Sequence, residues 1–317
     1  MVEPLRIVSL LPSATEIVCA VGARANLVGV SHECDYPGGV EELPVLTRPR
    51  RELPATSGDI DRSVRQTLED ALAVYEVDIE RLRDAAPDVV LTQDLCEVCA
   101  VSLDDVHSAL SELALDDVAV VSLRPTLLHD VWADVRRVGE AVGRTLQANA
   151  AATDLERRCA AIAKRAAAAP IRPAMLTIEW LDPVMIGGTW MPELVGLAAG
   201  QAMVTTPGQH APTLGLSELR ALEPDVVLVK PCGFDLARTQ NEVSLMAENL
   251  PWDSWRAVSE GRVFVADGSA FFNRSGPRLV ESLEILAACV HPALFADFAE
   301  RHASSYRRVT PRLEFDC

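Results

Sequence analysis

Short apolar runs alternate with longer amphipathic stretches along most of this chain. One phrase, Pro-Asp-Val-Val-Leu, occurs at 87–91 and again at 224–228. In each copy a Pro-Asp turn opens a β-branched run short enough for a buried strand, and a polar loop with cysteine follows. Buried strands that end in polar loops are typical of a parallel α/β sheet. The repeat therefore predicts two similar lobes, with their chemistry in the loops after the strands.

Other segments of the chain extend this pattern. Further strands are predicted at 7–11, 27–30, 118–123, 174–180 and 263–267, and helices at 58–85, 103–113, 192–199, 216–222, 236–250 and 278–289. Residues 38–57 are rich in proline and arginine and are predicted to be irregular. Where the first strand turns into a helix, Ser13 is the predicted N-cap and Glu16 completes a capping box.

The middle of the chain has only helical spacing. No proline occurs between Pro125 and Pro170, Gly143 marks a break, and residues 145–169 are rich in alanine and arginine, which favours one long helix. We predict an N-terminal α/β lobe over 1–124, a helical connector over 125–170 and a C-terminal α/β lobe over 171–317. The fold class is α/β, with two Rossmann-like lobes joined by one long helix and a ligand cleft between them.

Charge and the first residues bear on partners and location. The formal net charge of −17 disfavours nucleic acid and anionic membranes as partners. No stretch reaches about 18 uninterrupted apolar residues, so no membrane span is predicted. Residues 1–6 lead straight into an apolar run without the regions of a secretory signal. We therefore expect a cytoplasmic protein, whose cysteines are thiols or metal ligands rather than disulfides.

Four of the eight cysteines follow predicted strands: Cys34, Cys96, Cys99 and Cys232. Together they can hold zinc or an iron–sulfur cluster, with His32 as a substitute ligand. They can also lie beside a corrinoid cobalt, act as a redox dithiol through the Cys-x-x-Cys pair, or be inert buried thiols. The sequence leaves these alternatives open. The remaining cysteines are predicted to serve packing or to lie in the tail: Cys19, Cys159, Cys289 and Cys317.

Aromatic residues and histidines divide into two groups. The heptapeptide at 31–37 is polar, aromatic and thiol-bearing directly after a predicted strand, which makes His32 and Tyr36 site candidates. Trp180 and Trp190 follow a strand or a glycine turn and are candidates for ligand stacking. Core positions are predicted for Trp132, Trp252 and Trp255. Solvated or capping roles are predicted for His107, His129, His210, His291 and His302.

These motifs together resemble the cobalamin-binding members of the helical-backbone (class III) periplasmic binding protein superfamily. Five segments carry the resemblance. They are the first strand with the turn at 12–16, the segment 28–37, the two copies of the repeated phrase, the long helix, and the segment 275–278. It implies a substrate-binding protein rather than an enzyme, with a cobalamin-like corrinoid held between the lobes and an ABC importer as partner. The contacts it implies are Ser13, Trp180, Trp190, Phe234, Phe271 and Arg274.

Two departures from that family keep other functions open. The chain shows no export signal, and the classical vitamin B12 receptors lack the cysteine set in their cleft loops. One alternative is therefore a metal or iron–sulfur protein, a sensor or an enzyme, centred on the cysteines without corrinoid. The other is a protein that binds haem or a siderophore complex, because this fold serves several chelates.

Overall fold

The structure is a computed structural model that describes residues 3–50, 54–69, 74–93, 103–115, 117–310 and 315–316. The described residues fall into two compact units. The first is drawn from Met1–Ala55, Arg62–Pro125 and His129–Leu155, and the second from Thr56–Asp61, Thr126–Leu128 and Glu156–Cys317. A long helix, α6 (Thr145–Ala166), begins in the first unit and ends in the second.

The first unit is built on a parallel sheet. Its strands are β1 (Ile7–Ser9), β2 (Leu27–Val30), β3 (Thr47–Pro49), β4 (Tyr75–Val77), β5 (Val89–Gln93) and β6 (Ala119–Leu123). Among the described residues, four of them form a sheet of order β2-β1-β5-β6, with every pair parallel. Strands β3 and β4 form a separate antiparallel pair.

Helices cover this sheet and lead out of it. They are α1 (Pro12–Ala20), α2 (Ser57–Glu69), α3 (Ile79–Ala85), α4 (Leu103–Glu112) and α5 (Leu128–Ala141), followed by α6. The start of α2, up to Asp61, and Leu128 of α5 belong to the second unit. Apolar side chains of the sheet and of α3 and α4 share one core, in which Val8, Leu82 and Val90 are fully buried. Strand and helix alternate along the chain. Each helix returns the chain to the end of the sheet at which the strands begin, so neighbouring strands run parallel.

The second unit contains a larger mixed sheet. Its strands are β7 (Ala174–Leu181), β8 (Val184–Ile186), β9 (Gln201–Ala202), β10 (Val226–Val229), β11 (Val263–Ala266), β12 (Tyr306–Val309) and β13 (Phe315–Asp316). The order is β13-β12-β11-β10-β7-β8, and β9 pairs with β7. Strands β7, β10 and β11 are parallel to one another, whereas β8, β12 and β13 are antiparallel to their neighbours.

The helices of the second unit are α7 (Met191–Leu197), α8 (Leu216–Arg220), α9 (Leu236–Leu245), α10 (Arg256–Ser259), α11 (Leu279–Val290) and α12 (Ala296–Arg301). Every residue of α11 except Glu281 is buried. The two copies of the repeated phrase form β5 and β10, both buried parallel strands, as the sequence predicts. Tryptophans 132 and 255 are buried in the core, also as predicted, and Trp252 packs against the core of the second unit.

Three local predictions are wrong. The predicted helix over 58–85 ends at Glu69, and β4 precedes α3, which is capped by Asp78 through the backbone N–H of Arg81 at 3.0 Å. Pairing of β4 with β3 overrides the helical spacing, and β3 lies in the stretch predicted to be irregular. Ser13 is not the N-cap of α1, because the helix already begins at Pro12 and Leu11 takes the cap position.

Within the described part of the chain, no helix has both the length and the apolar character that crossing a membrane requires.

Candidate functional site

Parallel strands place the loops after their carboxyl ends on one edge of each sheet, where α/β proteins bind ligands. In the first unit this edge receives the loops that follow β1 and β2. In the second unit it receives the loops that follow β7, β10 and β11.

A chain of small polar groups joins the loops after β1 and β2. The Thr15 hydroxyl at the start of α1 donates to Ser9 Oγ at 2.8 Å and lies 3.1 Å from the thiol sulfur of Cys34. Ser9 in turn donates to the carbonyl of Leu11 at 3.1 Å. Ser9, Thr15 and Cys34 are all buried. These bonds hold the Cys34 loop against the first turn of α1.

The same loop carries the imidazole of His32 before Cys34 and the phenol of Tyr36 after it. His32 Nδ1 lies 2.7 Å from the hydroxyl of Thr47, and the ring centroid of Tyr75 lies 5.1 Å from that of His32. The side chain of His32 is exposed, but the residues packed around the ring remove part of its water, and this desolvation lowers the pKa of His32. Tyr36 is 46% exposed, whereas Ser13 is only 4% exposed. The candidate residues of the first unit therefore include two exposed side chains, His32 and Tyr36, and one buried hydroxyl.

The edge of the second unit is organised around a buried lysine. The side chain of Lys230, directly after β10, is fully buried. Its ammonium group donates to Glu179 Oε2 at 3.0 Å and to Asn273 Oδ1 at 2.7 Å. A buried ammonium is tolerated only where such partners replace water. The Lys230 cluster, meaning Lys230, Glu179 and Asn273, ties β7, β10 and the loop after β11 to one point.

Further hydrogen bonds spread from this cluster into the backbone. Asn273 Nδ2 donates to the carbonyl oxygens of Lys230 at 3.0 Å and Gly268 at 2.9 Å. Gly188 donates its backbone N–H to Glu179 Oε2 at 3.3 Å. The loops are packed so closely that a Cβ on Gly268 would lie 2.1 Å from the carbonyl oxygen of Pro231. The loops of this edge are thus fixed relative to one another.

Two of the predicted aromatic contacts pack together. The rings of Trp180 and Phe234 meet edge to face, with centroids 5.4 Å apart. The Arg238 guanidinium lies 3.7 Å from the centroid of the Phe234 ring. Phe234 is 1% exposed, while Trp180 is partly exposed and donates its Nε1–H to the carbonyl of Asp182. Phe234 therefore supports Trp180 from behind.

The loop after β11 and the glycine turn after β8 bring in the other candidates. Trp190 is 5% exposed and donates its Nε1–H to the carbonyl of Phe272 at 2.8 Å. Phe271 and Arg274 are half-buried, and Arg274 donates to the hydroxyl of Ser269 at 3.3 Å. The partly exposed members of this edge are thus Trp180, Phe271 and Arg274, whereas Trp190 and Phe234 lie in the interior.

Two of the four candidate cysteines, Cys34 and Cys232, lie within the described residues. Cys34 is buried in the first unit and Cys232 is exposed in the second, and the structure brings neither together with two further metal-ligating groups. Cys96 and Cys99 lie outside the described residues. Within the described residues, no group of three or more histidine, cysteine or acidic side chains can hold a metal ion. The shared cysteine site stays a prediction.

Two further cysteines and two histidines lie in the interior of the protein. Burial raises the pKa of the Cys159 thiol to about 12 and also raises that of Cys289, in keeping with the predicted packing role. Of the predicted solvated or capping roles, His291 and His302 take the capping one, as the C-cap residues of α11 and α12, and both side chains are buried rather than solvated. His302 Nε2 lies 2.7 Å from Glu284 Oε2, since the carboxylate of Glu284 is itself buried and needs a partner.

Sequence reasoning missed the cluster around Lys230 and the partner of His32. The available signal for the first is compositional, because Lys230 is one of two lysines in the chain and stands directly after the repeated strand phrase. A cation in that position needs a counter-charge at the same sheet edge, and Glu179 ends the neighbouring predicted strand. No sequence signal links Thr47 to His32, which lie in separate stretches of the chain.

This chain is similar to known bacterial proteins over most of its length. The vitamin B12-binding protein of Photorhabdus laumondii is 22% identical over 284 residues, covering 89% of this chain and 86% of that protein. An uncharacterised ABC transporter substrate-binding lipoprotein of Bacillus subtilis is 23% identical over 303 residues, covering 93% and 82%.

Solved structures share the fold. A periplasmic haem-binding protein from Pseudomonas aeruginosa aligns with a TM-score of 0.69 and 21% identity, over 92% of this chain and 94% of its own. The periplasmic vitamin B12-binding protein of Vibrio cholerae aligns with a TM-score of 0.62 and 18% identity, over 91% and 97%. These likenesses confirm the predicted α/β fold class.

A sequence profile described as periplasmic binding protein matches residues 7–270. That range is well over half of the 317 residues. The match confirms the resemblance drawn from the sequence motifs, and with it the prediction of a binding protein rather than an enzyme. The chain belongs to the periplasmic binding protein family.

Proposed function

We propose that this chain binds a cobalamin-like corrinoid at the loops that follow the carboxyl ends of its parallel strands. The observation that carries the proposal is the group of partly exposed side chains on the second unit, Trp180, Phe271 and Arg274, held in place by the Lys230 cluster. A corrinoid is large, flat and partly apolar, and its rim carries amide groups. Aromatic rings suit its faces, and an arginine suits the amide oxygens.

The rigidity of this edge supports a binding role. Because the Lys230 cluster and the Phe234 ring already fix the loops, little side-chain freedom is lost when a ligand arrives. The relative from Photorhabdus laumondii is named for binding vitamin B12, which favours a corrinoid. The relative from Bacillus subtilis is named as an ABC transporter substrate-binding lipoprotein, and an ABC importer is accordingly the partner that we propose.

Haem is the second candidate, because one of the structural neighbours is named a haem-binding protein. The same aromatic side chains suit either macrocycle. The two differ at their rims, since haem carries carboxylates and the corrinoid carries mostly neutral amides. Arg274 can donate to a carboxylate as well as to an amide oxygen, so it suits either rim, and titration with both ligands has to decide between them. An iron–sulfur function and the cytoplasmic location stay predictions from the sequence.

Spectral titration of the purified chain with cobinamide, hydroxocobalamin and haemin tests the proposal. We expect stoichiometric binding of a corrinoid, and a loss of roughly tenfold in affinity for Trp180→Ala and for Phe271→Ala, since an aromatic contact contributes about 1 kcal/mol or more. Leu245→Ala is the matched control, because Leu245 is 55% exposed on α9 and lies outside the candidate loops. Tight binding of haemin without binding of any corrinoid would overturn the proposal in favour of haem.

A further inference from the structure

Strand β7 changes its register at Glu179. The residues on either side of it pair with adjacent residues of β8, Ile178 with Ile186 and Trp180 with Met185, so Glu179 is the extra residue of a β-bulge. A bulge interrupts the alternation of side chains along a strand and re-aims one of them. Glu179 and Trp180 are accordingly both partly exposed, although they are neighbours in the strand. The acid therefore lies beside a proposed ligand contact.

One oxygen of the Glu179 carboxylate is held by the protein. Oε2 accepts from the ammonium group of Lys230 at 3.0 Å and from the backbone N–H of Gly188 at 3.3 Å. Both donors are fixed by packing. Lys230 is fully buried, and a Cβ on Gly188 would lie 2.5 Å from the carbonyl oxygen of Gln209. These two contacts hold the carboxylate in one orientation.

The other oxygen of Glu179 is left for a different partner. Oε1 makes no hydrogen bond or ion pair with any residue that the structure describes. It is open to solvent, because the side chain is 24% exposed and Oε1 is not enclosed as a buried unpaired atom. An ionised carboxylate only accepts hydrogen bonds. The partner of Oε1 is therefore a donor that comes from outside the protein, either water or a ligand.

We propose that Glu179 Oε1 accepts an amide N–H from the rim of the bound corrinoid and selects against macrocycles with carboxylate rims, an inference that rests on the proposed function. The rim amides of a corrinoid offer N–H donors, whereas the ionised carboxylates of haem offer none. A carboxylate that faces another carboxylate gains no hydrogen bond, and the two like charges repel. Arg274 suits both rims, so Glu179 supplies the discrimination.

Two corrinoids with the same macrocycle test this inference on the whole chain. Cobinamide carries rim amides, whereas cobyrinic acid carries carboxylates in their place. In spectral titrations cobinamide should bind roughly tenfold more tightly or better, because the carboxylate analogue leaves Oε1 without a donor. Glu179→Gln should reduce this ratio of dissociation constants severalfold, since the glutamine amide can also donate to a carboxylate. A purely structural role would weaken the binding of both corrinoids equally and leave the ratio unchanged.

Variants separate the contact from net charge and from folding. Asp253→Asn is the matched control, because it removes one negative charge from a side chain of the same unit that is 70% exposed and lies outside the candidate loops. Its ratio should equal that of the parent. Glu179→Gln combined with Lys230→Met removes both charges of the buried pair, so the test does not depend on the stability of the single variant. The ratio should fall in the double variant too.

The outcomes distinguish this inference from the proposed function. Equal binding of cobinamide and cobyrinic acid by the parent chain would overturn the inference. A ratio in the Glu179 variants equal to that of Asp253→Asn would overturn it as well. In both cases the proposed function stays intact, because a corrinoid still binds. If neither corrinoid binds the parent chain, the proposed function itself fails, and this inference fails with it.

Discussion

At the scale of single residues, the burial of the Lys230 ammonium group could not be predicted from the sequence. The pattern places a lysine after an apolar strand, but it does not say whether the ammonium reaches water. In the structure this side chain is fully buried against Glu179 and Asn273. Burial depends on which loops meet at the sheet edge, and these loops come from distant parts of the chain. Sequence reasoning found the edge and its aromatic residues, but not the ion pair that holds it.

Lys230→Met should therefore be strongly destabilising. It leaves the carboxylate of Glu179 and the amide oxygen of Asn273 without their buried partner. Because part of the carboxylate can still be hydrated, we expect the free energy of unfolding to fall by about 1 to 3 kcal/mol. Lys164→Met is the matched control, since the other lysine of the chain is exposed on α6. Urea unfolding measures both free energies.

A double variant separates the ion pair from packing. Glu179→Gln combined with Lys230→Met removes both charges, so part of the stability lost in Lys230→Met should return. Unfolding of Lys230→Met at the same urea concentration as Lys164→Met would show that the buried ion pair adds no stability.

Asp134 on α5 carries a second buried charge. Its Oδ1 accepts from Arg137 at 2.6 Å, while its buried Oδ2 has no hydrogen-bond partner among the residues that the structure describes. Burial raises the pKa of Asp134 to about 6, although the Arg137 charge opposes the rise. The folded chain thus binds a proton here more readily than the unfolded chain. Stability should fall as the pH rises from about 4 to about 6, by roughly 3 kcal/mol at most.

Asp134→Asn should remove this part of the pH dependence. The measurement is the free energy of unfolding in urea at several pH values across that window. Glu140→Gln, an exposed carboxylate on the same helix, should keep the slope of the parent. An unchanged slope in Asp134→Asn would show that the carboxyl group titrates in the same way in the folded and unfolded states.

At the scale of elements, segments with a marked apolar pattern were predictable, including short buried strands such as β2 and β10, whereas short strands without such a pattern were not. Helices α4, α5, α6 and α11 and the repeated strands follow their spacing. Strand β4 and the hairpin of β12 and β13 escape prediction, because two to four residues carry no usable period and their pairing partners decide their state.

The contact between α5 and α6 depends on a missing side chain. Gly139 on α5 lies so close to α6 that a Cβ there would be 2.0 Å from the Cβ of Ala148. Gly139→Ala should destabilise the chain by about 1 to 3 kcal/mol, because overpacking outweighs the gain in helix propensity. Gly196→Ala on α7 is the control, since a Cβ there meets nothing within 4 Å. It should be neutral or slightly stabilising. Equal melting temperatures for the two variants would contradict this account of the contact.

At the scale of the whole molecule, the sequence predicts two lobes and a set of cysteines that both lobes supply. The structure describes each unit separately, with Cys34 in the first and Cys232 in the second. The arrangement of the units decides whether those thiols share one ligand, and strand and helix patterns carry no information on it. The predicted cleft therefore stays a prediction.

Thiol alkylation gives a direct test of ligand position on the second unit. Cys232 is exposed in the loop after β10, and its backbone N–H donates to the carbonyl of Glu179 at 3.1 Å. Iodoacetamide reacts with thiolates, so burial and a raised pKa should protect Cys159 until the chain unfolds. Mass spectrometry of the two peptides should show rapid labelling of Cys232 and none of Cys159 in the folded protein.

A saturating corrinoid should then slow the labelling of Cys232 severalfold. The reason is that the proposed ligand covers the loop after β10, which contains both Cys232 and Phe234. Trp180→Ala supplies the control, since its weaker affinity shifts protection to higher corrinoid concentrations while the rate without ligand is unchanged. If Cys232 is labelled equally fast with and without bound corrinoid, the ligand lies away from the carboxyl edge of β10. In that case the aromatic residues of this edge support the fold alone.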